Sequence, residues 1–182
     1  RIFTDDEYQR LLEASPMWLR RIVIMAYWTG MRQKEILQLE WNSVDLKEGF
    51  VRLRATQTKT DEARSVRLSP QCIQMLGEIQ RTLQWKNVFL SVTQRPILRW
   101  GSYQKKVWND SLKKAGIEDA VFHDLRHDFV TKAMRRGNAS HVVMKQVGHK
   151  SDAMLKRYQL IDERDLLDLK FSPEPQKLTE TS

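Results

Sequence analysis

Apolar residues recur at helical spacing through most of the chain and alternate with polar ones in only two short runs. Tyr8, Leu11 and Leu12 share one face behind Thr4-Asp-Asp-Glu7, the Thr/Glu spacing of a capping box, which predicts a helix opening at about residue 5. Pro16 opens a second, strongly apolar helix that runs to Trp28, where Thr29-Gly30 breaks it, and a short helix over about 32–39 follows. Phe50, Val51 and Leu53 read as one strand, and Val66 and Leu68, alternating with Arg67, read as another. Between them residues 55–64 form a polar loop too long for a tight turn. Ser69-Pro70 starts a helix by the cap-then-proline rule, expected to reach residue 83 or 84. Further helices are expected over about 101–115, 124–136, 140–147 and 151–158, with a polar end containing Pro173 and Pro175. The expected fold class is mainly α with a small antiparallel β-sheet (α+β).

With 182 residues, 41% hydrophobic content and six Trp, the chain can bury one sizeable core, so one domain is expected. The lone Cys72 excludes an intramolecular disulfide framework and any CxxC metal knuckle. The longest apolar stretch, residues 22–28, falls far short of the roughly 20 residues a bilayer requires, and no signal peptide is evident, so a cytoplasmic protein without membrane partners is expected. Charge changes the picture more. From Asp162 onward six acidic residues face three basic ones, a net −3, so the overall +8 becomes +11 for residues 1–161. An excess of that size favours a polyanion through counterion release and steering, although a merely solvated basic surface has the same composition.

Helical phasing sharpens the chemistry. With His123 at 0° and about 100° per residue, Leu125, Phe129, Ala133, Val130 and Met134 fill an arc from about 200° round to about 20°. Arg126, at about 300°, lies inside that arc, and His123 is on the inward side too, between Val130 and Met134, while Asp124, Asp128, Lys132, Arg135 and Arg136 take the other side. A cation on a core face needs a partner, either a structural carboxylate or a ligand phosphate. The same construction recurs upstream, where Arg32 shares a face with Ile36 and Leu39, and Glu35 stands one turn on, placed for an i,i+3 contact. Two inward planar forks suit the non-bridging oxygens of one phosphodiester, and their charge could stabilise a pentavalent transition state without a metal. No Asp/Glu cluster with two-metal spacing is evident, so no metal or other cofactor is expected. Tyr158 could supply a nucleophile if cations stabilise its phenolate, and it could equally be a core aromatic with its hydroxyl at the surface. His149 after Gly148, and Lys59 in the polar hairpin loop, could move protons or be a capping histidine and a solvated lysine. His127 and His141 read as structural or surface residues.

Together these residues resemble the catalytic domain of the tyrosine recombinases, the phage integrase family. The motifs are Thr29-Gly-Met-Arg-Gln-Lys-Glu35, the Thr58-Lys-Thr60 hairpin, His123-Asp-Leu-Arg-His127, and Val147-Gly-His149 nine positions before Tyr158. Each is weak alone, and all of them in this order are highly specific. The resemblance implies a catalytic domain over 1–161 and a tail over 162–182, a short helix and then a mobile end. It also implies amino-terminal DNA-binding domains that lie outside this fragment, which opens at Arg1 without a methionine. It implies a site-specific recombinase acting on double-stranded DNA, integrating or excising a phage or other mobile element. Tyr158 would form a 3′-phosphotyrosine, Arg32 and Arg126 would clamp the phosphate, and Glu35 would support Arg32. Lys59 would protonate the 5′ leaving oxygen, His123 would act as general base, and His149 would hydrogen-bond a phosphate oxygen. A homotetramer on DNA is implied, with the fragment alone a monomer, and DNA-bending or excisionase proteins as accessory partners. The alternatives are a type IB topoisomerase, with the same phosphotyrosine chemistry, and a non-catalytic DNA-binding domain on the same scaffold.

Overall fold

The computed structural model describes residues 1–57 and 62–149. Its helices are α1 (Asp5–Ala14), α2 (Met17–Thr29), α3 (Gln33–Leu37), α4 (Pro70–Gly77), α5 (Ser102–Ala115), α6 (Asp124–Arg135) and α7 (Ser140–Val147), and three strands stand between α3 and α4. These are β1 (Val44–Asp45), β2 (Phe50–Leu53) and β3 (Arg64–Arg67), antiparallel in the order β1-β2-β3. The α+β architecture therefore stands, with one strand more than the hydrophobic pattern suggests, because two residues of β1 are too few to show alternation. Among the described residues no helix is long and apolar enough to cross a membrane.

The local rules act as expected at most helix ends. The Thr4 hydroxyl accepts from the Glu7 N–H at 3.1 Å while the Glu7 carboxylate accepts from the Thr4 N–H at 2.9 Å, closing the capping box. Helix α4 stops at Gly77 rather than running to residue 83 or 84. Glycine is a poor helix former, and Leu83, fully exposed, has no core to cover, so extending the helix would gain no burial.

Helix α2 is the spine. It buries Trp18, Leu19, Ile22, Val23, Met25, Ala26 and Tyr27, and packs against α1, α3, α4 and α6. Tyr8 of α1 stacks on Tyr27 with ring centroids 3.8 Å apart, and its hydroxyl accepts from the Trp28 indole N–H at 3.0 Å. A smaller cluster of Val130, Val143 and Val147 joins α6 to α7, and α7 also lies along β3. The exposed edge of β3 is not left open. Gln146 of α7 accepts from the Arg67 N–H at 2.8 Å and donates to the Arg67 carbonyl at 3.0 Å, a side chain standing in for a fourth strand.

Two residues phased with the solvent face are buried: Asp124, whose carboxylate accepts from the Val121 N–H at 2.8 Å, and Asp128. Asp128 is fully buried. The chain before α1 crosses over α6, so Asp128 accepts from the Phe3 N–H at 2.9 Å and pairs with Lys132 at 3.1 Å, while Lys132 donates to the Phe3 carbonyl and the Tyr27 hydroxyl at 2.8 and 2.7 Å. Burial raises the Asp128 carboxyl above its usual range against the pull of Lys132. A phase computed for an isolated helix does not see a segment laid across its polar side.

Candidate active site

The turn between α2 and α3 carries the first arginine, and its shape is fixed by Gly30. Gly30 closes α2 in the left-handed region, φ 64°, and a Cβ there would sit 2.5 Å from Phe129 of α6 and 2.8 Å from Val147 of α7. Only glycine lets three helices meet this closely. The Gly30 carbonyl points at α6, where it accepts from Nη1 of Arg126 at 2.6 Å. Arg126 is buried, 3% exposed, as its place inside the apolar arc requires.

Arg32, two residues beyond Gly30, is the N-cap of α3, and its arrangement mirrors that of Arg126. Its Nη2 donates at 2.7 Å to the carbonyl of Gly148, the left-handed residue that closes α7. Each arginine is thus held by the carbonyl that follows the last turn of another helix, where the helix dipole favours a cation. Nη1 of Arg32 meets Glu35 Oε1 at 3.1 Å, the i,i+3 contact expected from the spacing, and the Arg32 backbone N–H donates to Oε2 at 2.8 Å.

Glu35 has a second guanidinium partner that motif reading passes over. Arg64, at the start of β3, donates from Nη1 to Oε1 at 2.8 Å and from Nη2 to Oε2 at 2.7 Å, a two-pronged pair with side chains only 7% and 2% exposed. Burial alone would raise the Glu35 carboxyl, but hydrogen bonds and charge from Arg64, then from Arg32, hold it below the usual range. The signal was in the chain: alternation that turns Val66 and Leu68 inward turns Arg64 inward as well.

The two histidines complete the described part. His149 follows Gly148 and is half-buried, its backbone N–H bonded to the Met144 carbonyl at 3.0 Å. Burial, then the charges of Arg126 and Arg32, lower its pKa to about 4, so it is neutral at physiological pH. His123 is corrected from the inward position that phasing gives it: it is exposed. It is the N-cap of α6, not a residue within it, so its ring hangs beyond the first turn and meets His127 edge-on, centroids 4.7 Å apart. Partial burial of the ring, then His127 and Arg126, lower its pKa as well. Arg32, Glu35, Arg126 and His149, with His123 at the rim, therefore gather at one place from three separate stretches of chain. Lys59 and Tyr158 lie outside the described residues, although β2 and β3 flank the Lys59 segment and Tyr158 follows His149 by nine positions. Among the described residues no group of three or more His, Cys, Asp or Glu is placed to hold a metal ion.

The sequence model of the phage integrase family matches residues 1–164, and the chain belongs to that family. The integrase of Salmonella phage P22 is 30% identical over 160 residues, covering 84% of this chain and 41% of that protein. A shufflon-specific DNA recombinase of Escherichia coli is 33% identical over 162 residues, 87% of this chain and 39% of the relative. The crystal structure of XerA recombinase superposes with a TM-score of 0.74 at 27% identity, covering 91% of this chain and 62% of that one. The chain thus spans about two fifths of the length of the first two relatives.

Proposed function

We propose that this chain is the catalytic domain of a site-specific DNA recombinase that cuts and rejoins double-stranded DNA through a 3′-phosphotyrosine, integrating or excising a phage or other mobile element. The observation that carries this reading is the pair Arg32 and Arg126, each held by a helix-terminal carbonyl, with a neutral His149 beside them. Family membership and the names of the relatives support it.

In this mechanism the Tyr158 oxygen attacks the scissile phosphorus while the P–O5′ bond breaks. His123, its pKa lowered by partial burial and then by His127 and Arg126, takes the phenolic proton, and Lys59 gives a proton to the departing 5′ oxygen. Charge building on the non-bridging oxygens meets the guanidinium groups of Arg32 and Arg126 and a hydrogen bond from His149. The number of phosphodiester bonds is conserved, since a 5′-hydroxyl of another strand can attack the phosphotyrosine and restore Tyr158, so no nucleotide is consumed. Repeating the exchange on the second strand pair passes through a four-way junction held by four protomers, the assembly the family resemblance implies.

Recombination between two separate duplexes, assayed with the full-length gene product in EDTA and without ATP, tests the reading. Joined products are expected. Relaxation of supercoils with no joining between duplexes would favour the topoisomerase alternative, and DNA binding with no strand cleavage would favour the non-catalytic one.

A further inference from the structure

Arg64 lies under the site and takes part in none of the steps above, yet it is among the most buried cations described. We propose that Arg64 is a positioning residue that keeps the charge of Arg32 available to the DNA phosphate. The proposal rests on the recombinase reading and adds to it a residue that acts only through Glu35 and the Gly148 turn.

A carboxylate offers two oxygens, and a single arginine can take both as a planar fork. Arg64 does so, at 2.8 and 2.7 Å. Arg32 is left with one side-chain contact to Oε1 at 3.1 Å, and its other terminal nitrogen reaches the Gly148 carbonyl at 2.7 Å. One carboxylate between two guanidinium groups leaves one positive charge, and it resides on the more open partner: the Arg32 side chain is 19% exposed and that of Arg64 7%. Without Arg64, the buried Glu35 carboxylate would take Arg32 as its own fork partner, turning it off Gly148 and cancelling the charge meant for a phosphate.

Arg64 also sets the floor of the turn that presents His149. Its Nε donates toward the Gln146 carbonyl at 3.4 Å, and a Cβ on Gly148 would stand 3.0 Å from its Cζ. Since Arg64 opens β3, one guanidinium ties together the start of that strand, the first turn of α3 and the end of α7.

The test is single-turnover cleavage of a nicked suicide duplex by the full-length gene product, with DNA affinity and melting temperature measured alongside. R64Q should cleave on the order of 100-fold more slowly, the scale of loss expected when a catalytic group is displaced by about an ångström, with affinity changed less than about threefold. In the double variant E35Q/R64Q the neutral side chain at 35 no longer captures Arg32, and at least about tenfold of the lost rate should return, a recovery that a residue needed only for folding would not give. R64K, which keeps the charge and loses the fork, should fold and cleave about tenfold more slowly, and it carries the comparison if R64Q does not fold. Parental rates in R64Q or R64K, or no recovery in the double variant, would overturn the proposal. Absence of any adduct from the parent protein would instead overturn the recombinase reading itself.

Discussion

Replacing Gly30 by alanine places one methyl group at the point where α2, α6 and α7 converge. The added carbon would stand 2.5 Å from Cδ1 of Phe129 and 2.8 Å from Cγ1 of Val147, both well inside van der Waals contact. Neither neighbour is a flexible chain end, since Phe129 packs against the Val130–Val143–Val147 cluster and Val147 is fully buried. Two costs add: about 1–2 kcal/mol for holding an L-residue in the left-handed region, and about 1–3 kcal/mol for overpacking. A loss of about 2–5 kcal/mol is expected, read from urea unfolding as a lower midpoint with an unchanged slope. Function should suffer beyond stability, because the Gly30 carbonyl anchors Arg126 at 2.6 Å and Arg32 lies two residues away. At a temperature where both proteins remain folded, G30A should cleave at least about tenfold more slowly. A stability change under about 1 kcal/mol with parental cleavage would refute the claim that the close approach at Gly30 builds the site.

Two further outcomes follow from the same contacts. D128A strips the acceptor from the Phe3 N–H and the carboxylate from Lys132, which keeps the Phe3 carbonyl and the Tyr27 hydroxyl, and should cost about 1–3 kcal/mol, seen as a melting temperature lower by about 3–10 °C and faster hydrogen exchange at Phe3; unchanged exchange would contradict the clasp. Stability should also fall as pH drops from about 6.5 toward 4: an unfolded His149 takes a proton near its ordinary value, whereas the folded one refuses it until about 4, so the unfolded state binds more protons across that window. Because the ring is only half-buried, screening holds its share to about 1–2 kcal/mol, and H149Q should flatten the profile there. A parental slope in H149Q would remove His149 as the cause.

Motif spacing and helical phase carried a good part of this structure. Arg126 inside the apolar arc, Glu35 one turn beyond Arg32, the capping box at Thr4 and the break at Gly30 are local properties, set by periods of 3.6 and by cap chemistry. What escaped depends on elements meeting in space. Asp128 reads as solvent-facing until the strand of chain at Phe3 crosses it, and His123 reads as inward until its place ahead of the first turn of α6 is known. Arg64 was legible from the alternation with Val66 and Leu68, but its partner Glu35 lies 29 positions upstream and nothing local announces the pairing. The carbonyls of Gly30 and Gly148 have no side chain to read at all. Lys59 and Tyr158, which the resemblance to the family supplies, are outside the described residues and enter only the proposed mechanism.

The central claim is that Tyr158 becomes covalently joined to DNA. The most direct measurement incubates the full-length gene product with a pool of nicked duplexes of randomised core sequence, traps the protein–DNA adducts after denaturation, and maps the modified peptide by mass spectrometry. An adduct is expected on the peptide containing Tyr158, through a 3′-phosphate, and it should be lost in Y158F while that variant still folds and binds DNA. An adduct on another residue, or one of equal yield in Y158F, would contradict it.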